Sequence, residues 1–364
     1  MSKVINKIKF NKVISLISGR DLIKEKYNSD HKGIPYIMGA SNMINGELCV
    51  ERWTEEPTVL GIKDDIVISV KGTVGKVLIL KEDEVQLSRQ VMSIRVSEKV
   101  KVKFVYYYLK FYLNKIKQKA KGMIPGITRE DILDADFSYM DLEKQEKVVN
   151  ILDKAKSLID KRKGQIEALD ELVKSRFIEM FGNAIINPKG WEVKLLGEVC
   201  DMKSGKNIKA CDISEINSGK LYPCYGGNGL RGYVKQYSHE GNIPLIGRQG
   251  ALCGNVKYAQ GKFYATEHAV VTQPKVEMNT YWLYYSLNEL DLNRLSTGAA
   301  QPGLTVGKLN LVEIPIAPLD MQNEFDKLAN QVDKLKFEME KSLKELEDNF
   351  NSLMQKAFNG ELFK

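Results

Sequence analysis

Gly122-Met-Ile-Pro125-Gly126-Ile127-Thr128 returns later in the chain as Gly298-Ala-Ala-Gln-Pro302-Gly303-Leu304-Thr305, with Pro302 standing 177 residues after Pro125. The same offset carries Leu142 to Leu319, Gln145 to Gln322, Leu169 to Leu346, Ser175 to Ser352 and Phe181 to Phe358. Self-similarity at one fixed spacing marks a repeated structural unit. Upstream the correspondence continues across small insertions, pairing Ser18-Gly19-Arg20 with Ser204-Gly205-Lys206 and Ile34-Pro-Tyr-Ile-Met-Gly39 with Leu221-Tyr-Pro-Cys-Tyr-Gly226. It also pairs Ile68-Ser-Val-Lys71-Gly72-Thr-Val-Gly75-Lys-Val77 with Leu245-Ile-Gly-Arg248-Gln-Gly250-Ala-Leu-Cys-Gly254-Asn-Val256, which sets Lys71 against Arg248. Each copy reads as a globular domain of about 130 residues followed by a helix of about 40.

The length agrees, because 364 residues exceed what one hydrophobic core usually organises. Lys and Arg number 54 against 47 Asp and Glu, an excess of +7 that permits an anionic partner without requiring one. The opening stretch interrupts its apolar residues with Lys and Asn every few positions, so neither a signal peptide nor a membrane span is expected, and the expected compartment is the cytoplasm. The five cysteines form no C-x-x-C pair and accompany only three histidines, which argues against a disulfide framework and a structural zinc site.

Within the globular halves, β-branched runs such as Asp65-Ile-Val-Ile-Ser-Val70 and Val77-Leu-Ile-Leu80 are bounded by Gly, Asp and Lys, the chemistry of strands and turns. The aromatic segments Phe104–Leu109 and Tyr281–Leu287 continue with helical spacing and are expected to pack on the sheets as core aromatics. From Leu142 a heptad runs through Gln145, Leu152, Ile159, Ile166, Val173 and Met180, with Val148, Ala155 and Leu169 beside it. Its counterpart runs through Phe325, Val332, Met339, Leu346 and Leu353, flanked by Leu328, Leu335, Leu343 and Phe350. The expected fold is α+β: two tandem globular domains, at 1–140 and 183–318, separated by helices at 141–182 and 319–364. Connectivity favours an antiparallel coiled coil between these helices and pseudo-two-fold symmetry between the copies.

This layout resembles the specificity subunit of type I restriction-modification systems. The resemblance covers almost the whole chain and rests on helix-entry phrases ending Leu142-Glu-Lys-Gln145 and Ile314-Pro-Ile-Ala-Pro318-Leu-Asp-Met-Gln322. Helix-exit phrases Ser175-Arg-Phe-Ile-Glu-Met-Phe-Gly182 and Leu353–Leu362 add to it, as does the Thr297-Gly298…Pro302-Gly303-Leu304 motif. The first copy departs from the pattern in its short start before Val13 and in having no counterpart of Trp191. The resemblance implies two target recognition domains, each reading one half of an asymmetric double-stranded DNA site. It implies helices that set the gap and dock two methyltransferase subunits, with restriction or translocase subunits joining where present. On that reading the chain is not an enzyme and holds no cofactor: S-adenosylmethionine belongs to the methyltransferase, ATP and Mg to any restriction subunit. The sequence carries neither a GxxxxGK[ST] loop nor an Asn/Asp-Pro-Pro-aromatic motif; Ser204-Gly-Lys206, Val74-Gly-Lys76 and Val306-Gly-Lys308 lack the upstream glycine. A coiled-coil scaffold whose globular ends bind protein or RNA is the alternative.

Base reading in the major groove needs Arg, Lys, Asn or Gln on loops that can enter it. In the first domain such residues are Lys71 beside Gly72, Arg89 and Gln90, and Arg129 after the Pro125-Gly126 turn. In the second they are Tyr225, Asn228 and Arg231 in a glycine-rich loop, Arg248 and Gln249, His268 beside Glu267, and Lys308. No nucleophile or metal-ligand set accompanies His268, so a hydrogen-bonding role is expected for it.

Overall fold

The computed structural model describes residues 6–119, 126–217, 219–250, 252–297 and 302–363; Gly122–Pro125 and Gly298–Gln301 of the repeated motif lie outside them. Two compact units emerge, one formed by 1–163 with 341–364 and the other by 164–340. Each combines one globular domain with part of both long helices.

In the first unit an antiparallel sheet has the order Ile14–Ser18, Val91–Val96, Ile66–Ser69, Val77–Ile79. A second sheet has the order Trp53–Thr54, Ile34–Ile37, Glu84–Leu87, Leu60–Ile62, and its central pair is parallel. A ribbon of Asn6–Lys9 with Asp136–Tyr139 closes the domain where the chain enters the long helix. The second unit repeats this: Cys200–Ser204, Ala269–Pro274, Ile243–Gly247, Val256–Ala259 in one sheet, and Gly229–Val234, Tyr222–Gly226, Lys262–Ala265, His239–Glu240 in the other. Again the central pair of the second sheet is parallel, and Glu192–Leu195 pairs with Glu313–Ile316 as the closing ribbon. The duplication inferred from sequence is thus a duplication of sheet topology; the hairpin of Met43–Ile44 with Glu47–Leu48 in the first unit has no counterpart among the described residues of the second.

The helices are α1 (Val102–Lys119), α2 (Arg129–Leu133), α3 (Leu142–Phe181), α4 (Leu196–Val199), α5 (Thr280–Glu289), α6 (Val306–Asn310) and α7 (Leu319–Asn359). Short helices α2 and α6 each start on a threonine, Thr128 and Thr305, whose hydroxyl accepts from the backbone three residues on and satisfies a donor the helix cannot. The aromatic helices α1 and α5 lie against the first sheet of their units, as expected from sequence. In the first unit Phe104 and Tyr108 gather on Phe137, and in the second Trp282 is fully buried beside Phe181.

At 40 and 41 residues, α3 and α7 each extend about 60 Å. Within each unit they run antiparallel. Lys163 pairs with Glu347 at 2.8 Å in the first, while Val148 and Leu152 share a core with Met354 and Phe358. In the second Lys336 pairs with Asp170 at 2.6 Å, and the Phe177 ring meets Phe325 at 5.2 Å. One expected seam residue lies elsewhere: Leu335 is 47% exposed, and the seam passes instead through Ala329, Val332 and Lys336. The heptad through Leu343 and Phe350 continues strictly backward to Lys336 and Ala329, whereas Leu335, one residue earlier, turns outward.

A buried glutamine joins each domain to its helix. Gln145 is fully buried near the start of α3; its Oε1 accepts from the Lys101 N–H just before α1 (2.8 Å), and its Nε2 donates to the Met140 carbonyl (2.7 Å). Gln322 in α7 repeats this with the Asn279 N–H (2.9 Å) and the Ala317 carbonyl (2.8 Å). Among the described residues no helix is long and apolar enough to cross a membrane.

Replacing Gln322 by Leu strands a backbone donor and acceptor, so Gln322→Leu is expected to cost about 1–3 kcal/mol in urea unfolding. A Cβ at Gly164, within α3, would meet open space. Gly164→Ala is accordingly expected to stabilise the chain by about 0.5–1 kcal/mol, and a lower denaturation midpoint would contradict that.

Candidate nucleic-acid interface

The loops singled out from sequence hang on a hydrogen-bond frame that is the same in both copies. In the first, Val70 N–H donates to the Gln90 carbonyl (2.8 Å), Ile127 N–H to the Val70 carbonyl (3.0 Å), and Gly75 N–H to the Ser69 carbonyl (2.8 Å). In the second, Arg248 N–H donates to the His268 carbonyl (3.0 Å), Leu304 N–H to the Arg248 carbonyl (2.9 Å), and Gly254 N–H to the Gly247 carbonyl (2.7 Å). The turn before each strand matches as well, with Gln90 N–H donating to Ser88 Oγ and His268 N–H to Thr266 Oγ1.

This frame corrects the pairing read from sequence by one residue. Arg248 corresponds to Val70, and Lys71 corresponds to Gln249; Gly72 and Gly250 then coincide, both at positive φ (68° and 85°). Arg89 falls with Glu267 and Gln90 with His268. Gly39 likewise corresponds to Gly227, since Ile37 and Tyr225 supply the same carbonyl, to Ser88 N–H and Thr266 N–H. Similar backbones therefore present dissimilar side chains: Lys71 against Gln249, Arg89 against Glu267, Gln90 against His268.

In the first domain Lys71 and Gly72 are exposed at the tip of their turn. Arg89 is exposed and held by Asp21, Nε to Oδ2 at 2.7 Å. The Gln90 amide lies over Gly39, its Oε1 only 2.7 Å from where a Cβ would stand. In the second domain, Asn228, Arg231, Gln249 and His268 line one cleft of about 510 Å³ with the glycines Gly226, Gly227, Gly229 and Gly250. Asn228 Oδ1 accepts from Asn255 Nδ2 at 3.2 Å. His268 Nε2 lies 3.1 Å from Glu267 Oε1, while His268 Nδ1 and Glu267 Oε2 are buried without a hydrogen-bond partner among the described residues.

Four residues expected at the surface of this region point elsewhere. Arg248 donates from Nη1 to Ser204 Oγ at 2.9 Å, and its Nε is buried, so the guanidinium braces the strand behind the loop. Arg129 does the same in the first domain, donating to Ser18 Oγ (2.7 Å) and to the Leu16 carbonyl (3.1 Å). Ser18 and Ser204 are equivalent, yet their arginines come from non-equivalent loops. Lys308 Nζ ties down its neighbouring loop through the Leu295 carbonyl (3.0 Å) and Thr297 Oγ1 (3.2 Å). Tyr225 packs edge-on against Phe263, and burial pushes its hydroxyl above the ordinary tyrosine range. Ser18, Ser204 and Asn255 were missed from sequence; only the repeat, aligned through its backbone bonds, marks the two serines.

The family model described as "Type I restriction modification DNA specificity domain" matches residues 6–171 and, a second time, 188–348. The chain belongs to that family. Among its relatives, the type I restriction enzyme EcoprrI specificity subunit of Escherichia coli is 39% identical over 198 residues, 51% of this chain. That match spans 49% of the E. coli subunit, about half its length. A type I restriction-modification S subunit from M. genitalium shares the fold, with a TM-score of 0.60 at 20% identity over 98% of this chain and 97% of that one. So does a chain solved for "complex assembly and conformational transition of the type I R-M system", with a TM-score of 0.62 at 19% identity over 98% of both. In this specificity-family chain the two model matches each end inside a long helix, as the two units do.

The Arg248–Ser204 contact is testable by a double-mutant cycle. Arg248→Ala and Ser204→Ala are expected to couple by about 1 kcal/mol in denaturant unfolding, whereas strictly additive effects would remove the brace.

Proposed function

We propose that this chain is the non-catalytic DNA-recognition subunit of a type I restriction-modification complex. Its recognition domains, 1–140 and 183–318, each read one half of an interrupted double-stranded site. The helices set the gap between the half-sites and dock two methyltransferase subunits, and restriction or translocase subunits join where the system has them. S-adenosylmethionine is then held by the methyltransferase, and ATP and Mg by any restriction subunit. The observation that carries this reading is the shared hydrogen-bond frame with exchanged side chains. A common backbone gives each domain a similar stance, and Lys71, Arg89 and Gln90 against Gln249, Glu267 and His268 give each a different donor and acceptor pattern for base edges. The half-sites are then unlike, and the full site asymmetric.

On this reading Gln249, exposed on the cleft rim, reads a base edge, and Arg248 supports it. In the complex assembled with methyltransferase subunits, Gln249→Ala is expected to change discrimination at one base pair of one half-site by about 1–3 kcal/mol. Methylation of a randomised duplex library measures this. Uniform loss over all sequences would assign Gln249 to the DNA backbone, and methyl transfer by the isolated chain would overturn the non-catalytic reading.

A further inference from the structure

From Asn6 to Asn28 and from Glu192 to Ser214 the two copies keep one register, with an offset of 186 residues from Ser18 to Ser204. Backbone bonds hold that register throughout. Phe10 N–H donates to the Ala135 carbonyl as Leu196 N–H does to Val312, and Lys26 N–H donates to the Ile23 carbonyl as Asp212 N–H does to Lys209. The Asn28–Trp53 bridge recurs as Ser214–Tyr233. Charge does not follow the register. Lys7, Lys9, Lys12, Lys24 and Lys26 correspond to Val193, Leu195, Glu198, Ala210 and Asp212; Lys194, Lys203 and Lys209 correspond to Ile8, Ile17 and Ile23. One position in the stretch is cationic in both copies: Arg20 and Lys206.

The backbone there is fixed by a close approach. Arg20 N–H donates to the Leu87 carbonyl at 2.9 Å and Lys206 N–H to the Ala265 carbonyl at 3.0 Å, so the strand crosses from the first sheet to the second in both domains. The residue before each is glycine; a Cβ on Gly19 or Gly205 would stand 2.1 Å from a carbonyl oxygen. Both cationic side chains are exposed, and neither forms a hydrogen bond or ion pair among the described residues. In the first domain the neighbouring Asp21 is taken by Arg89, which leaves Arg20 free beside the Arg89–Gln90 turn.

We propose that Arg20 and Lys206 are matched phosphate anchors, each binding the DNA backbone at the edge of its own domain's reading loops. This rests on the DNA-recognition reading above. The exchange of Arg for Lys fits a phosphate better than a base edge: a phosphate accepts either cation as charge, whereas a guanine edge is met differently by the planar fork of Arg and the point charge of Lys. Loop side chains that differ between copies select sequence, and the cation shared at Arg20 and Lys206 positions each domain regardless of sequence.

The test uses the full chain assembled with methyltransferase subunits and titrates duplexes of cognate and unrelated sequence over a salt series. Arg20→Ala and Lys206→Ala are each expected to flatten the slope of log affinity against log salt by about 1 and the double variant by about 2, with the cognate-to-unrelated ratio unchanged. Arg20→Lys is expected to restore the slope. An unchanged slope in variants that still assemble, or a loss confined to one sequence, overturns the assignment. A wild-type complex that binds no duplex would instead defeat the DNA-recognition reading itself.

Discussion

Each domain meets its long helix through one buried amide. Gln145 and Gln322 sit in the first turn of α3 and α7, and each bonds at once to the residue that follows the closing strand and to the backbone just before the aromatic helix. A carboxamide suits this junction because it offers an acceptor and a donor on opposite sides, and both backbone groups it meets lose access to water. The aromatic cores then assemble around a fixed origin. Phe104 and Tyr108 reach Phe358 at the far end of α7 in the first unit, as Tyr285 reaches Phe177 and Phe325 in the second. Without the clamp, the closing ribbon, aromatic helix and long helix would share apolar contact but no defined angle.

On that frame the loops are free to diverge, and the two arginines show how far. The hydroxyls of Ser18 and Ser204 occupy one place in the repeat, and each receives a guanidinium. In the first domain it comes from Arg129, at the start of α2; in the second it comes from Arg248, at the end of the strand Ile243–Gly247. Val306 and Val70 stand where the other copy has its arginine. The brace persists while its origin in the sequence moves, so the fold constrains where a charge ends up more tightly than which loop supplies it.

Much of the architecture was legible because its signals are periodic or repeated. The offset of 177 locates both helices, and the heptads locate most of their buried faces. Details that depend on a single insertion were not legible. Between Gly19 and Gln145 the offset from copy to copy shifts repeatedly, from 186 at Gly19 to 188 at Gly39, 178 at Val70, 179 at Gly75 and 177 at Gln145, so an alignment by eye can slip one residue and set Lys71 on Arg248. Leu335 was drawn into the seam by its side chain, although the strict heptad puts Lys336 there. The direction of a long side chain was least legible of all. Arg129, Arg248 and Lys308 have the chemistry of DNA readers, and only coordinates reveal that their donors are already engaged by Ser18, Ser204 and Thr297.

The polar residues of the seam carry the remaining step. Arg176 and Lys336 lie at heptad positions where an apolar residue would pack better, and each reaches across to the opposite helix: Arg176 to Glu324 at 3.8 Å, Lys336 to Asp170 at 2.6 Å. As partly exposed ion pairs each contributes little to stability, about 0–1 kcal/mol. Their effect is on register, because a shift of one heptad that left the apolar seam intact would separate both pairs. An apolar seam alone tolerates such slips; a seam with two placed charges does not. On the proposed function, in which the helices set the gap between half-sites, a fixed register matters more than the stability an added leucine would supply.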